Sequence, residues 1–192
     1  MKNKRTLLII GLVFALLIGG AAILYRQLGQ HITAEQLSTQ VVQPEGSNGE
    51  SETEQKTKAP DFTVYDAEGN EIHLSDYVGK PIVLNFWASW CGPCQTEMPD
   101  FHGKYLALGE EVYFLMINMT TGRETLESAS AFIEKNEYAF PVFYDIDSDA
   151  AITYGVYSLP TTFFIDADGY AIAQATGAID AETLQRGIDM IR

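Results

Sequence analysis

The chain has 192 residues, a formal net charge of −14 and a hydrophobic fraction of 46%. That fits one ordinary domain plus an additional segment, with enough apolar side chains for a core. A surface this acidic serves solubility and argues against nucleic acid as a partner, and two cysteines are too few for a disulfide-dense secreted scaffold.

Leu7 to Leu24 reads LLIIGLVFALLIGGAAIL, an uncharged run long enough to cross a hydrocarbon core as a helix. Lys2, Lys4 and Arg5 precede it, and only Arg26 follows closely. The positive-inside rule therefore leaves the N-terminus in the cytoplasm and everything after Tyr25 outside. A cleavable signal peptide is the alternative, with Leu7–Ile18 as its apolar region and Gly20-Ala21-Ala22 as its cleavage site. Ile23 and Leu24 carry the apolar run past that site, which favours an uncleaved anchor. Both readings put the cysteines outside the cytoplasm. The expected organisation is a cytoplasmic stub and membrane anchor over 1–25, a polar linker over 26–58 and one folded domain over 59–192. The linker includes PEGSNGESETEQKTK, which offers no apolar side chain to bury and reads as a solvated tether.

Strands and helices then alternate. Phe62–Tyr65 and Glu71–Leu74 flank DAEGN and read as a hairpin. Ile82–Trp87 (IVLNFW) is nearly continuous apolar, as a strand buried on both faces should be. A helix is predicted from Gly92 to Leu108, with Met98, Phe101, Tyr105 and Leu108 on one face and Gly109 placed to end it. Val112–Ile117 is a second buried strand. Thr121-Gly-Arg-Glu124 fits a capping box that opens a helix with Leu126, Ala129, Phe132 and Ile133 inward. Phe140–Tyr144 is a short strand. Thr162–Asp166 and Tyr170–Ala175 flank the turn Ala167-Asp168-Gly169, and Asp180 caps a last helix to Ile191. This alternation, closed by a hairpin, means an α/β sandwich with a mixed sheet.

Two metal patterns fail on their own terms. Asp145-Ile-Asp147-Ser-Asp149 begins like a calcium loop, but Ala150 stands where glycine is needed and Val156 where glutamate is needed, so an exposed acidic helix start is expected. A zinc site needs two ligands beyond the cysteines. His31 is in the linker and His73 in a hairpin strand. His102 is eight residues past Cys94 on the same helix, about 12 Å along the axis. The histidines are expected at the surface, and no metal or cofactor is expected.

Cys91 and Cys94 call for another explanation. As an inert staple the pair would constrain almost nothing, because loop-closure stabilisation grows with loop length. Its position suits reactivity. Cys91 falls where strand gives way to helix, so its sulfur faces unpaired N–H groups and the positive end of the helix dipole, which favour thiolate. Gly92 lets the backbone pass closely, and Pro93 pre-sets the first turn without an orphaned donor. Cys91 is expected to be the exposed attacking sulfur and Cys94, one turn in, the resolving one.

Trp90-Cys91-Gly92-Pro93-Cys94 after an apolar strand, with Pro99 five residues on, resembles the thioredoxin superfamily active site. Ser158-Leu159-Pro160-Thr161-Thr162 is similar to that family's cis-proline loop. The resemblance implies that Pro160 is cis, packs beside the active cysteine and lends its neighbour's backbone to an extended substrate. The wider pattern more closely resembles the membrane-anchored TlpA/ResA branch. It comprises APDFTVYDAEGNEIHLSDYVGKPIVLNFWASWCGPC, then QTEMPDF, an inserted helix-strand segment over 121–144, and FFIDADG. This implies a thioredoxin-like sandwich with an N-terminal hairpin, and a thiol-disulfide oxidoreductase acting reductively. It also implies a membrane electron donor of the CcdA/DsbD type. Disulfide-bearing clients are implied too, such as apocytochrome c haem-site disulfides or an extracytoplasmic methionine sulfoxide reductase.

Two departures from ordinary thioredoxin follow. Asn85 stands where thioredoxin has a buried aspartate, and Glu97, at i+3 from Cys94, is the nearest group able to carry its proton. ResA-like members carry a glutamate there but commonly differ at the two residues between the cysteines, which here are the thioredoxin-like Gly92 and Pro93. A peroxiredoxin-like peroxidase is a rival enzyme class, but needs Thr or Ser three residues before the cysteine, where Ala88 stands. A copper-handling module is a non-enzymatic rival, but uses a pair one residue wider and a distant histidine.

Overall fold

The computed structural model describes residues 37–38 and 56–192. The expected anchor over Leu7–Leu24, its signal-peptide alternative and His31 lie outside these residues. Among the described residues, no helix is long and apolar enough to cross a membrane.

The described strands are β1 (Leu37–Ser38), β2 (Thr57–Lys58), β3 (Thr63–Tyr65), β4 (Glu71–His73), β5 (Ile82–Trp87), β6 (Tyr113–Asn118), β7 (Val142–Tyr144), β8 (Thr161–Ile165) and β9 (Tyr170–Thr176). They form one mixed sheet in the order β1-β9-β8-β5-β6-β7-β3-β4, with β2 also on β9. β5 pairs parallel with β6 and antiparallel with β8, so it is central. That is why IVLNFW can be apolar throughout: every residue of it is buried. Among the described residues the α-helices are α1 (Gly92–Leu108), α2 (Leu126–Lys135), α3 (Asp149–Thr153) and α4 (Ala181–Ile191), and a 3-10 turn spans Leu74–Tyr77.

The period-2 alternation of the strands divides the core. Val83 and Trp87 of β5 pack on one side with Cys94, Met98 and Phe101 of α1 and with Leu184 and Ile188 of α4. Ile82, Leu84 and Phe86 pack on the other with Phe62, Leu115 and Phe163. Parity therefore turns Asn85 toward the α1 side. α4 lies so close to the sheet that a Cβ on Gly187 would stand 2.2 Å from the ring of buried Phe164. Gly109 ends α1 in the right-handed region, at φ −62°; what it supplies is room, since a Cβ would stand 2.7 Å from the Tyr105 carbonyl oxygen.

Four expectations need correction. The first is the polar tether over 26–58, whose described parts pair with β9. The outer edge of β9 offers unpaired N–H and C=O groups. Leu37 packs on the core, and Lys56 and Lys58 lie over the Tyr170 ring while Lys56 pairs with Asp166. The second is the capping box of α2, which is formed by Thr125 and Ser128, not Thr121 and Glu124. The third is the acidic run before α3, which is not simply exposed. Asp147 and Asp149 are exposed as expected and accept from the Tyr65 hydroxyl and the Thr63 N–H, but Asp145 is buried and accepts the N–H groups of Ala150 and Ala151. The fourth is His102, which is half-buried because Tyr138 and Phe140, from the connection between α2 and β7, pack their rings edge-on against it.

Candidate active site

β5 ends at Trp87, and the chain turns through Ala88, Ser89 and Trp90 before α1 opens at Gly92. The Cys91 N–H closes this turn on the Ala88 carbonyl at 3.1 Å. Cys91 is the N-cap of α1: its backbone is extended, and its Sγ accepts the N–H of Cys94 at 3.2 Å. A sulfur held there gains from a helix donor and from the dipole, both of which favour negative charge. Pro93 sits in the first turn, where its missing donor leaves nothing unpaired. The helix continues through Pro99 to Leu108.

The two sulfurs are joined in a disulfide, with Cα atoms 5.2 Å apart. Cys94 is fully enclosed, while Cys91 keeps 4% exposure and opens on a cleft of about 540 Å³. The expected asymmetry is thus narrow in the oxidised form. One wall of the cleft is Trp90 to Pro93, a second carries Met119, Thr121 and Arg123, and a third runs from Val156 to Leu159. The Leu159–Pro160 peptide bond is cis. Pro160 is buried and its carbonyl accepts from the Gly177 N–H, while the main chain of Leu159 makes no hydrogen bond among the described residues.

Behind the cysteines lies a polar cluster. Glu97 is 1% exposed. Its Oε1 accepts from Asn85 Nδ2 at 2.8 Å and its Oε2 from the Ile179 N–H at 3.0 Å. Asn85 Nδ2 also donates to Thr162 Oγ1 at 3.0 Å, while Asn85 Oδ1 is buried without a partner. Burial pushes the Glu97 carboxyl up to about 7, opposed by the two N–H donors, which favour the ionised form. A carboxyl poised there is able to take up and give back a proton near neutral pH. The site therefore joins β5, α1, β8 and the loop before α4.

Glu124 belongs to this site and was read from sequence as part of a helix cap. It is buried, and its carboxylate accepts from the Ser89 N–H and hydroxyl, each at 2.9 Å, and from Asn118 Nδ2 at 3.0 Å. Gln95 Nε2 donates to the Ser89 carbonyl at 2.6 Å. Ser89, two residues before Cys91, is thus held on its amide, carbonyl and hydroxyl. Next to Glu124, the Arg123 guanidinium lies over the exposed Trp90 ring, 3.8 Å from its centroid. No periodicity marks either residue; one sequence shows only that both precede an apolar helical face.

A mixed sheet with a cysteine pair at a strand-to-helix turn beside a cis-proline defines a thioredoxin-like thiol-disulfide oxidoreductase. The chain belongs to the AhpC/TSA family, whose profile matches residues 56–173. It is 38% identical over 137 residues to the thiol-disulfide oxidoreductase ResA of Bacillus thuringiensis subsp. konkukian, covering 70% of this chain and 76% of that protein. A crystal structure described as a thiol:disulfide interchange protein DsbE from Chlorobium tepidum is 30% identical, with a TM-score of 0.62 over 69% of this chain and 94% of that one. StoA of Bacillus subtilis is 27% identical, with a TM-score of 0.59 over 67% of this chain and 96% of that one. The chain is accordingly a thiol-disulfide oxidoreductase of the ResA/StoA type.

Proposed function

We propose that the protein reduces disulfides in client proteins outside the cytoplasm, tethered by its N-terminal apolar segment and recharged by a membrane donor of the CcdA/DsbD type. The observation that carries the reductive chemistry is the Cys91 sulfur, capped by the Cys94 N–H at the positive end of α1 and opening on the cleft. Such a sulfur is stabilised as a thiolate, the form that attacks. The uncharged run after Lys2, Lys4 and Arg5 supports the compartment. Apocytochrome c haem-site disulfides and a methionine sulfoxide reductase are the client classes that the family likeness favours.

The cycle balances as follows. In the reduced protein the Cys91 thiolate attacks one sulfur of the client disulfide. A Cys91–client disulfide forms, and the other client sulfur leaves as a thiolate and takes up a proton. The Cys94 thiol then gives its proton to Glu97, and the Cys94 thiolate attacks Cys91 Sγ. The Cys91–Cys94 disulfide closes and the second client sulfur leaves, to be protonated in turn. The client gains two electrons from the pair and two protons, one released by Cys94 through Glu97 and one returned by the solvent that took it when Cys91 ionised. The Leu159 main chain, free beside the cis-proline, pairs with the client backbone during the attack. Trp90, Gly92 and Pro93 shape the surface around the reacting sulfur. The peroxidase alternative gains no support, because buried Ala88 offers no hydroxyl to hold a peroxide.

Trapping tests this reading. Cys94→Ser is expected to accumulate client proteins joined covalently to Cys91 and released by reductant, and Cys91→Ser to abolish disulfide reduction. Faster alkylation of Cys94 than of Cys91 in native reduced protein would reverse the roles.

A further inference from the structure

We propose that Arg123 determines specificity, and that the cleft beside Cys91 seats an extended client segment carrying a carboxylate within two residues of its disulfide-bonded cysteine. This rests on the disulfide-reductase reading above.

The chain carries 26 acidic and 12 basic residues, so a cation at a particular place is informative. Among the described residues, Arg123 is the charged side chain that lines the cleft with Cys91. None of the ion pairs among the described residues involves it. Its guanidinium carbon lies over the Trp90 ring, 3.8 Å from the centroid. No hydrogen bond among the described residues uses its guanidinium N–H groups, and those are the donors that match a carboxylate.

The support beneath Arg123 is rigid. Glu124, the next residue, is buried and fixed by Ser89 and Asn118. The backbone that carries Arg123 is therefore tied to the same turn that carries Cys91, which lowers the ordering cost of an ion pair formed on binding. The opposite wall complements it. Tyr157 is 98% exposed at the rim, and the unpaired Leu159 main chain offers strand-type hydrogen bonds. An extended segment held there places side chains two residues apart on one face, roughly 7 Å from each other. A half-cystine over Cys91 then has a neighbouring side chain within reach of a long arginine at the cleft wall. On an otherwise acidic molecule this gives an acidic client one favourable point of entry beside the reacting sulfur.

The test uses full-length reduced protein and two peptides. Each carries one cysteine as a mixed disulfide with a chromogenic thiol, and they differ only in Glu or Gln two residues from that cysteine. Wild type is expected to favour the Glu peptide roughly threefold to tenfold in kcat/KM, a preference that shrinks as salt is raised. Arg123→Gln is expected to bring the ratio to about one, whereas a purely structural role would slow both peptides alike and leave the ratio standing. A ratio near one in wild type, or a preference that survives Arg123→Gln, overturns the assignment while disulfide reduction stands. Failure of wild type to reduce either peptide overturns the reductase reading itself.

Discussion

At Glu97 burial and hydrogen bonding oppose each other. Removal from water disfavours the carboxylate, while Asn85 Nδ2 and the Ile179 N–H favour it; burial prevails and the group stands near 7. Thioredoxin-type chemistry needs a proton carrier behind its resolving sulfur, and Asn85 cannot be one, since an amide does not titrate in this range. The shift has a consequence for stability with a definite sign. The unfolded chain releases this proton near 4.5 and the folded chain near 7, so the folded state binds more protons between them. Glu97 therefore contributes stability that is full below about 4.5, is lost as pH rises to about 7 and changes little above, with a span on the order of 3 kcal/mol. Glu97→Gln cannot ionise and should lack this component. Denaturant titrations of oxidised wild type and Glu97→Gln across that window are expected to diverge as pH rises, with the variant gaining relative to wild type. In the reduced proteins the pH profile of thiol alkylation is expected to shift and exchange with substrate disulfide to slow. Parallel stability profiles and an unchanged alkylation profile would leave Glu97 outside the proton path.

Between elements, the loop from β6 to α2 grips the turn from β5 to α1 through Glu124. Truncating Glu124 to alanine leaves the half-buried Ser89 amide and hydroxyl and the buried Asn118 amide without their acceptor. Orphaned buried donors cost roughly 1–3 kcal/mol each before relaxation, so Glu124→Ala is expected to destabilise by about 2–4 kcal/mol and to speed hydrogen exchange at the Trp90 and Cys91 amides. A loss under about 0.5 kcal/mol with unchanged exchange would show that the clamp does not hold the turn. The contrast with what could be read from sequence is physical. β5 was legible to the residue because a strand buried on both faces is apolar throughout, and α1 because its apolar face, Pro93 and Gly109 mark its limits. The cysteine pair was legible as chemistry because no structural staple needs that spacing. Glu124 was not: a buried acid in a loop has no period, and the T-x-x-E spacing imitates a cap one helical turn too early. β1 and β2 were not, because two-residue strands on an edge show no alternation and owe their pairing to the free side of β9. The contacts of Thr162 with Asn85 and of Ile179 with Glu97 arise only through tertiary packing, across 77 and 82 residues.

For the molecule as a whole, compartment decides what a dithiol of this kind is for. Outside the cytoplasm thiols tend to become disulfides, so a reductase there must be recharged from across the membrane, whereas in the cytoplasm the same pair would find its clients already reduced. The proposed topology, with the folded domain outside, rests on the basic residues before Leu7 and the uncharged run to Leu24. The chain's net charge of −14 would disfavour close contact between the domain and an anionic membrane surface. This topology predicts that a membrane-impermeant maleimide applied to intact cells after mild reduction labels Cys91, with the protein keeping the mass of an uncleaved chain. Labelling only after lysis would place the domain inside and remove the need for a membrane donor. Outside labelling of a chain that begins at Ile23 would keep the compartment but replace the anchor by a cleaved signal. In either case the sulfur labelled first should be Cys91, because the helix cap that favours its thiolate and the cleft that admits the reagent belong to the folded domain and not to its tether.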